Sequence, residues 1–173
     1  NRSSISRMNK RVDLLDKQEG DVVAELTSLI KQDEKLMEDV KLICTIPGIA
    51  IITAATIMAE TNGFNLIRSR SRLTSYAGMD VKEKQSGTSV KGKPRISKRG
   101  NKFLRKSMHM PALAAIRSDA HFKALFARLV AKHGIKMKAA VVVQRKLLEL
   151  AYTLYKSRSI YDPNYHHQDL QVD

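Results

Sequence analysis

The feature that most constrains the fold is an apolar repeat running through the first 43 residues. Ten of twelve positions, spaced alternately four and three residues apart, are apolar. The positions are Ile5, Met8, Val12, Leu15, Glu19, Val22, Leu26, Leu29, Asp33, Leu36, Val40 and Ile43. A repeat of about 3.5 residues keeps one seam on the same side of a helix, so it predicts a coiled coil or a long helical hairpin.

Residues 1–43 are also nearly neutral, with 8 Lys/Arg against 9 Asp/Glu, so this segment is not the expected nucleic-acid surface. We predict a helical arm that dimerises through the seam. Two alternatives are a single amphipathic helix packed on its own domain and a pair of antiparallel helices joined by a turn at Gly20-Asp21. A glycine inside a helix costs about 1 kcal/mol relative to alanine.

A glycine turn is predicted between two apolar helices within residues 42–60. The turn sequence Ile46-Pro47-Gly48-Ile49-Ala50 is like that of a helix-hairpin-helix, whose backbone N–H groups bind phosphate without reading base sequence. Ala50 stands where such hairpins commonly carry a second glycine, and residues 45–62 hold no Lys or Arg. A purely structural turn is therefore the alternative.

Positive charge is concentrated between Phe64 and Lys106, where 13 Lys/Arg stand against two acids. The resulting local charge of +11 is most of the net +14 carried by the 173 residues. Residues 79–96 show no helical periodicity, and we predict an irregular basic loop or loose hairpin between two helices. The predicted nucleic-acid-binding residues are Arg68, Arg70, Arg72, Lys84, Lys91, Lys93, Arg95, Lys98, Arg99, Lys102 and Arg105.

The chain beyond this loop is predicted to be helical. One helix, Lys98 to Ser118, is expected to be capped by Ser97 and to kink before Pro111. One broad face of it carries Phe103, Leu104, Met108, Pro111, Ala112, Ala115 and Ile116. Asp119 and Gly134 are expected to bound the next helix, and a last helix spans about 136–158. We predict an all-α fold in which the arm (1–43) precedes a helix-hairpin-helix-like domain (44–161) and a frayed tail (162–173).

Composition favours a nucleic-acid partner, because the isoelectric point is near 10.0. The single Cys44 excludes an internal disulfide framework and a Cys-based zinc site, and it fits a reducing compartment. His166-His167 has no evident partner ligands, so no metal site is predicted. No apolar run reaches membrane-spanning length. The first residue is Asn and a helical pattern begins at once, so we expect a piece of a longer protein.

Three patterns in and beside the basic loop resemble a known family. They are Tyr76-Ala77-Gly78, Gln85-Ser86-Gly87 and Ile96-Ser97-Lys98-Arg99-Gly100-Asn101-Lys102-Phe103-Leu104-Arg105. With the upstream Ile46-Pro47-Gly48-Ile49 and the Ala/Leu-rich helices up to about Tyr161, they resemble the C-terminal transposase domain of the IS110 family (the IS116/IS902 group). The resemblance covers nearly the whole chain, and the joint spacing of its parts is specific.

The resemblance implies a DNA transposase or recombinase whose nucleophile is Ser86, which forms a covalent phosphoserine link to DNA. A serine hydroxyl needs a base to take its proton and cations to stabilise charge on the attacked phosphate. Ser89 and Ser97 are the nearby alternatives, although Ser97 is better explained as a helix cap.

The family also carries an N-terminal RuvC-like domain whose acidic cluster binds magnesium. We see no counterpart in this chain, so we expect the isolated chain to hold no cofactor and to be inactive. The resemblance further implies DNA and a guide (bridge) RNA as partners, with base pairing selecting the sequence, in the cytoplasm of a prokaryotic cell.

Two functions of other classes compete with a recombinase. One is a non-catalytic helix-hairpin-helix module that binds DNA or RNA. The other is a dimerisation module whose positive charge is only solvated surface. Replacing Ser86 separates the enzyme from the binding module, and salt-dependent DNA binding separates both from the third possibility.

Overall fold

The computed structural model describes residues 1–82, 85–86, 90–91 and 95–164, and at 85, 86, 90 and 91 it describes the backbone alone. The chain divides into two compact units, Asn1–Asp39 and Val40–Asp173. Within the described residues there are eight helices and four two-residue strands. The predicted all-α fold with a long N-terminal helix is therefore confirmed. None of the helices in these ranges is both long and apolar enough to cross a membrane.

The first unit consists of helix α1 (Arg2–Gln32) and the start of α2 (Glu34–Cys44). Helix α1 continues through Gly20, so the alternative of a turn at Gly20-Asp21 is wrong. One glycine costs too little to interrupt a helix that is otherwise continuous for 31 residues. The break falls instead at Asp33, whose Oδ1 accepts a hydrogen bond from the Leu36 N–H at 3.0 Å and so caps α2.

The predicted seam lies largely on the exposed surface of α1. Six of its apolar side chains are more than half exposed: Ile5, Met8, Val12, Leu15, Val22 and Leu29. A row of exposed apolar side chains at this spacing provides the surface that a partner helix would cover. Self-association through the arm nevertheless stays a prediction.

The second unit begins with the end of α2, a turn at residues 45–50 and helix α3 (Ile51–Thr61). Gly48 in the turn has a φ of +82°, and a Cβ there would lie 2.9 Å from the Ala115 backbone nitrogen and would also collide with the Pro111 carbonyl oxygen. The glycine therefore allows the turn to pack directly on another helix backbone. This packing role fits the alternative of a purely structural turn. Phosphate binding by the turn stays a prediction.

The basic stretch begins with α4 (Arg70–Tyr76) and continues into four short strands. These are β1 (Val81–Lys82), β2 (Gln85–Ser86), β3 (Val90–Lys91) and β4 (Arg95–Ile96). Strand β1 pairs with β4, and β2 pairs with β3, both antiparallel. Of the two predicted possibilities, an irregular loop and a loose hairpin, the described backbone therefore forms the loose hairpin.

Two helices follow, α5 (Lys102–Ser107) and α6 (His109–Ser118), in place of the single predicted one. The break at Met108 lies in the turn before Pro111, as the predicted kink required. The prediction that Ser97 caps the helix is wrong, because the cap is Asn101 and Lys98 has a positive φ of 54°. In α5 Leu104 is fully buried whereas Phe103 is 57% exposed, so Phe103 does not lie with Leu104 on one face of the helix as predicted.

Helices α7 (Ala120–His133) and α8 (Lys136–Ser157) complete the unit. Asp119 caps α7 at its start and Gly134, with a φ of 68°, ends it, as predicted. Helix α8 packs against α4, α6 and α7, and α3 packs against α5. The largest fully buried side chains are Phe64, Ile43, Ile46, Ile57, Leu73, Met79, Leu104, Met108, Leu147, Leu148, Val40 and Val143. His166 and His167 lie outside the described residues.

Candidate nucleic-acid interface

The predicted nucleophile lies in the serine segment, a name used here for residues 81–96. The Ser86 backbone belongs to β2 and is paired with Val90 of β3. The alternative Ser89 is three residues further along the sequence. The side chains of Ser86 and Lys91, and all of Lys84, Ser89 and Lys93, lie outside the described residues. Their predicted roles therefore stay predictions.

Backbone hydrogen bonds join the residues just before β1 to those just after β4, and so hold the two ends of the serine segment together. The Ser97 N–H donates to the Asp80 carbonyl at 2.8 Å, and the Lys98 N–H donates to the Gly78 carbonyl at 3.0 Å. The Ser97 hydroxyl donates to the Asp80 carboxylate and also accepts from the Arg99 N–H. Ser97 is thus occupied in closing the segment, which is a different structural role from the helix cap predicted for it.

Asn101 makes a second set of contacts across the same ends. Its backbone N–H donates to the Tyr76 carbonyl at 2.7 Å, and its side-chain N–H donates to the Glu60 carboxylate. Its Oδ1 accepts from the N–H groups of Phe103 and Leu104, both at 2.9 Å, and so caps α5. One residue therefore connects α3, the end of α4 and the start of α5.

Two glycines allow these backbones to approach one another. Gly78 has a φ of +66°, and a Cβ there would lie 2.8 Å from Nη1 of Arg105. Gly100 has a φ of +153°, and its Cβ would lie 2.7 Å from the Gly78 nitrogen and would overlap the Tyr76 carbonyl oxygen. Any other residue at either position would push the two ends apart. We call this group of contacts, made by residues 76–80 and 97–105 with Glu60, the clamp.

The described cationic side chains that were predicted to bind nucleic acid are mostly exposed. The exposed ones are Arg68, Arg70, Arg72, Arg95, Lys98, Arg99 and Lys102. Arg105 is half-buried, and its Nη1 donates to the Ala77 carbonyl at 2.8 Å. It therefore has a structural contact within the clamp in addition to its charge.

Lys82 and Arg95 lie directly opposite each other in the β1–β4 pair, and both are exposed. Like charges placed opposite each other on neighbouring strands are mutually destabilising. An anion bound between them would remove that cost. This juxtaposition was not expected from the sequence, because the pairing register of the segment could not be predicted.

A second cationic region, which sequence reasoning missed, lies in α7 and α8. Residues 120–158 hold nine Lys/Arg and one acid, Glu149. Partial burial acts to raise the pKa of Glu149, but hydrogen bonds from Arg145 and Thr74 and the charges of Arg145 and Lys146 outweigh it and lower that pKa. Arg145 lies 2.7 Å and Lys146 3.5 Å from the Glu149 carboxylate oxygens, so the ionised acid offsets part of this charge.

The described residues include His, Cys, Asp and Glu side chains, the types that could bind a metal ion. In the ranges that the structure describes, no group of three or more His, Cys, Asp or Glu side chains is placed to hold a metal ion. Cys44 is the last residue of α2, and burial raises the pKa of its thiol. That shift disfavours the thiolate, so Cys44 is a poor nucleophile.

In a comparison with known families, the chain matches a model described as the transposase IS116/IS110/IS902 family. It covers residues 40–127, just over half of the chain. The matched range contains the end of α2, the glycine turn, α3, the serine segment and every residue of the clamp. It ends within α7.

Three of the similar proteins illustrate the range of the match. A pilin gene-inverting protein of Moraxella bovis is 27% identical over 143 residues, which are 82% of this chain and 44% of that protein. The insertion element IS900 42 kDa protein of Mycobacterium paratuberculosis is 24% identical over 160 residues, 92% of this chain and 39% of that protein. The insertion element IS110 43.6 kDa protein of Streptomyces coelicolor is 24% identical over 118 residues, 68% and 29% respectively. The chain thus spans less than half the length of these relatives.

Proposed function

The chain belongs to the IS116/IS110/IS902 transposase family, and we propose that it is the serine-bearing, nucleic-acid-binding part of a DNA transposase or recombinase. The observation that carries the proposal is the serine segment, which the clamp holds at both ends within a cationic surface inside the matched range. The name of the Moraxella relative, a pilin gene-inverting protein, describes rearrangement of DNA and supports this class of reaction.

In the proposed reaction, Oγ of Ser86 attacks a phosphorus atom of a DNA strand. An Oγ–P bond forms, the P–O bond to one neighbouring nucleotide breaks, and the serine proton ends on the released DNA hydroxyl. This exchange of one phosphodiester for another needs no oxidant or reductant. Cations near the clamp, among them Lys98 and Arg99, would offset the charge that builds on the phosphate.

The base and the metal of this reaction are proposed to lie elsewhere in the full-length protein. Magnesium would be held by the acidic cluster of a RuvC-like domain, as the family resemblance implies, and it would help to ionise the attacking hydroxyl. A guide RNA would select the DNA sequence by base pairing, while this chain contacts the sugar-phosphate backbone. The proposed setting is the cytoplasm of a prokaryotic cell.

The decisive experiment uses the full-length recombinase with magnesium, guide RNA and its DNA. We expect Ser86→Ala to abolish both strand exchange and the covalent protein–DNA adduct, while affinity for DNA changes little because no charge is lost. Ser89→Ala is the matched control and should retain both activities. If Ser86→Ala still recombines DNA, or if peptide mapping places the adduct on Ser89 or Ser97, the assignment of the nucleophile is wrong.

The cationic surface leads to a test that also covers the alternative of a non-catalytic binding module. The opposed Lys82 and Arg95 supply the specific support for a phosphate partner. If about six phosphates are neutralised, log affinity for duplex DNA should fall with log salt at a slope of about −5. A slope near zero would leave the positive charge as solvated surface. Binding with this slope, but without any adduct on a serine, would favour the binding module.

Self-association through residues 1–43 is part of the same proposal. The exposed seam on α1 supports it, since Val22 is 63% and Leu29 is 56% exposed. Val22→Asp together with Leu29→Asp should convert an oligomer into a monomer in analytical ultracentrifugation. The matched control is Asp21→Asn, which alters charge beside the seam without placing a carboxylate in it. An unchanged sedimentation coefficient in the double variant would contradict this interface.

A further inference from the structure

The exposed side of α5 combines an aromatic ring with positive charge. Phe103 is 57% exposed in the first turn of the helix. Lys102 and Lys106, which lie one turn apart, are also exposed, and Nζ of Lys102 lies 5.0 Å from the centroid of the Phe103 ring. The ring is therefore exposed, with one cation over it and a second on the same short helix.

The surroundings distinguish Phe103 from the isolated apolar side chains that are common on protein surfaces. Residues 95–110 hold six Lys/Arg and no Asp or Glu. The centre of a protein–protein interface is usually depleted of charge. Sites for single-stranded nucleic acid, in contrast, combine cations along the backbone with aromatic rings on which bases stack. The combination at Phe103 matches the second kind of site.

The backbone of Phe103 is also tied to the clamp. Its N–H donates to Oδ1 of Asn101 at 2.9 Å, and the same Asn101 is bound to Tyr76 and Glu60. A group held by the ring would thus have a fixed position relative to both ends of the serine segment. This link connects the exposed ring with the part of the chain proposed to react with DNA.

We propose that Phe103 is a stacking platform for an unpaired base, with Lys102 and Lys106 neutralising the phosphates beside it. The inference rests on the proposed nucleic-acid function and adds the kind of nucleotide that this surface takes. A base inside a duplex has both faces covered by its neighbours, so the ligand is a nucleotide outside a duplex. The platform holds such a strand beside the clamp.

The test measures the affinity of the full chain for three labelled DNAs by fluorescence anisotropy: a duplex, the same duplex with a single-stranded extension, and a version whose extension is abasic. We expect Phe103→Leu to weaken binding to the extended DNA by about 5- to 100-fold and to leave duplex binding unchanged. Phe103→Tyr, the matched control, keeps a ring and should bind as the wild type does. Removing the bases should weaken the wild type but not Phe103→Leu.

A charge control separates stacking from phosphate binding. Lys106→Gln should weaken binding to all three DNAs and should reduce the salt slope by about one unit. Equal losses on duplex and extended DNA for Phe103→Leu, or no loss on either, would overturn the platform while nucleic-acid binding stands. A changed oligomeric state of Phe103→Leu with intact binding would identify a protein interface instead. Failure of the wild type to bind any of the three would overturn the proposed function itself.

Discussion

Asn101 offers the most direct test of how the serine segment is held. Its Oδ1 caps α5 through the N–H groups of Phe103 and Leu104, and its side-chain N–H donates to the Glu60 carboxylate. Asn101→Asp separates these two roles. The new carboxylate keeps a capping oxygen, but it removes the donor and places a second negative charge against Glu60.

The expected cost can be worked out from these contacts. A hydrogen bond to a charged acceptor contributes about 1.5–3 kcal/mol. Two carboxylates about 4 Å apart repel each other by about 1 kcal/mol in water and by about 4 kcal/mol at the effective dielectric near a protein surface. Both side chains are half-buried, so we expect the free energy of unfolding to fall by about 3 kcal/mol. With a urea m-value of about 2 kcal/mol/M, the midpoint would fall by about 1.5 M.

Tyrosine fluorescence is the suitable signal, because all five tyrosines lie in the second unit and the chain has no Trp. The rescue variant combines Asn101→Asp with Glu60→Gln. It reverses donor and acceptor, since the new glutamine can donate to the new carboxylate. We expect its midpoint to return to within about 0.5 M of the wild type. The reasoning is refuted if Asn101→Asp leaves the midpoint unchanged or if the double variant unfolds as early as the single one.

Two further changes test other contacts of the second unit by the same urea titration. Gly48→Ala would drive a methyl group into the α6 backbone at a positive φ, and we expect a loss of about 2–5 kcal/mol; a loss below about 1 kcal/mol would contradict the close packing. Tyr161→Phe removes the O–H donor to Oδ2 of Asp119 at 2.8 Å, at an expected cost of about 1–2 kcal/mol. Burial and the Asp119 hydrogen bond raise the pKa of Tyr161, so its contribution is complete below about pH 10 and is lost as pH rises further. The difference between wild type and variant should therefore be constant from about pH 6 to 9 and shrink above about pH 10, and a difference that grows at high pH would contradict this.

Sequence patterns predicted the helices well where the signals were local. Asp119 and Gly134 bound α7 as expected, because a capping carboxylate and a left-handed glycine act on residues next to them. The residue at which α5 begins could not be predicted from local signals of this kind. Ser97 and Asn101 are both good caps, and the choice between them is made by Asp80, which binds the Ser97 hydroxyl, and by Glu60, which binds Asn101 from 41 positions away.

The positions of the cationic side chains were also predictable only in part, because sequence patterns report charges that are adjacent along the chain. The +11 stretch stands out because its cations are contiguous in the sequence. The nine cations of residues 120–158 are spread through two helices among apolar residues, and no local window isolates them. The Lys82–Arg95 pair depends on strand register, which a loop rich in lysine, glycine and serine specifies weakly.

Many residues of the sequence patterns that carry the family resemblance make the contacts of the clamp. Tyr76, Ala77 and Gly78 supply carbonyl oxygens to Asn101, Arg105 and Lys98, and Gly100 supplies the space in which these backbones meet. All of these contacts lie within one chain, so the spacing of the patterns fixes a geometry before any DNA is bound.

Chain geometry limits where the proposed nucleophile could act. Ser86 is eight residues from Gly78, and eight fully extended residues span at most about 26–29 Å. In the proposed reaction, the attacked phosphate must therefore come within about that distance of the clamp. Lys98, Arg99 and Lys102 belong to the clamp itself, so the spacing of the family patterns keeps their charges close to both ends of the segment that carries Ser86.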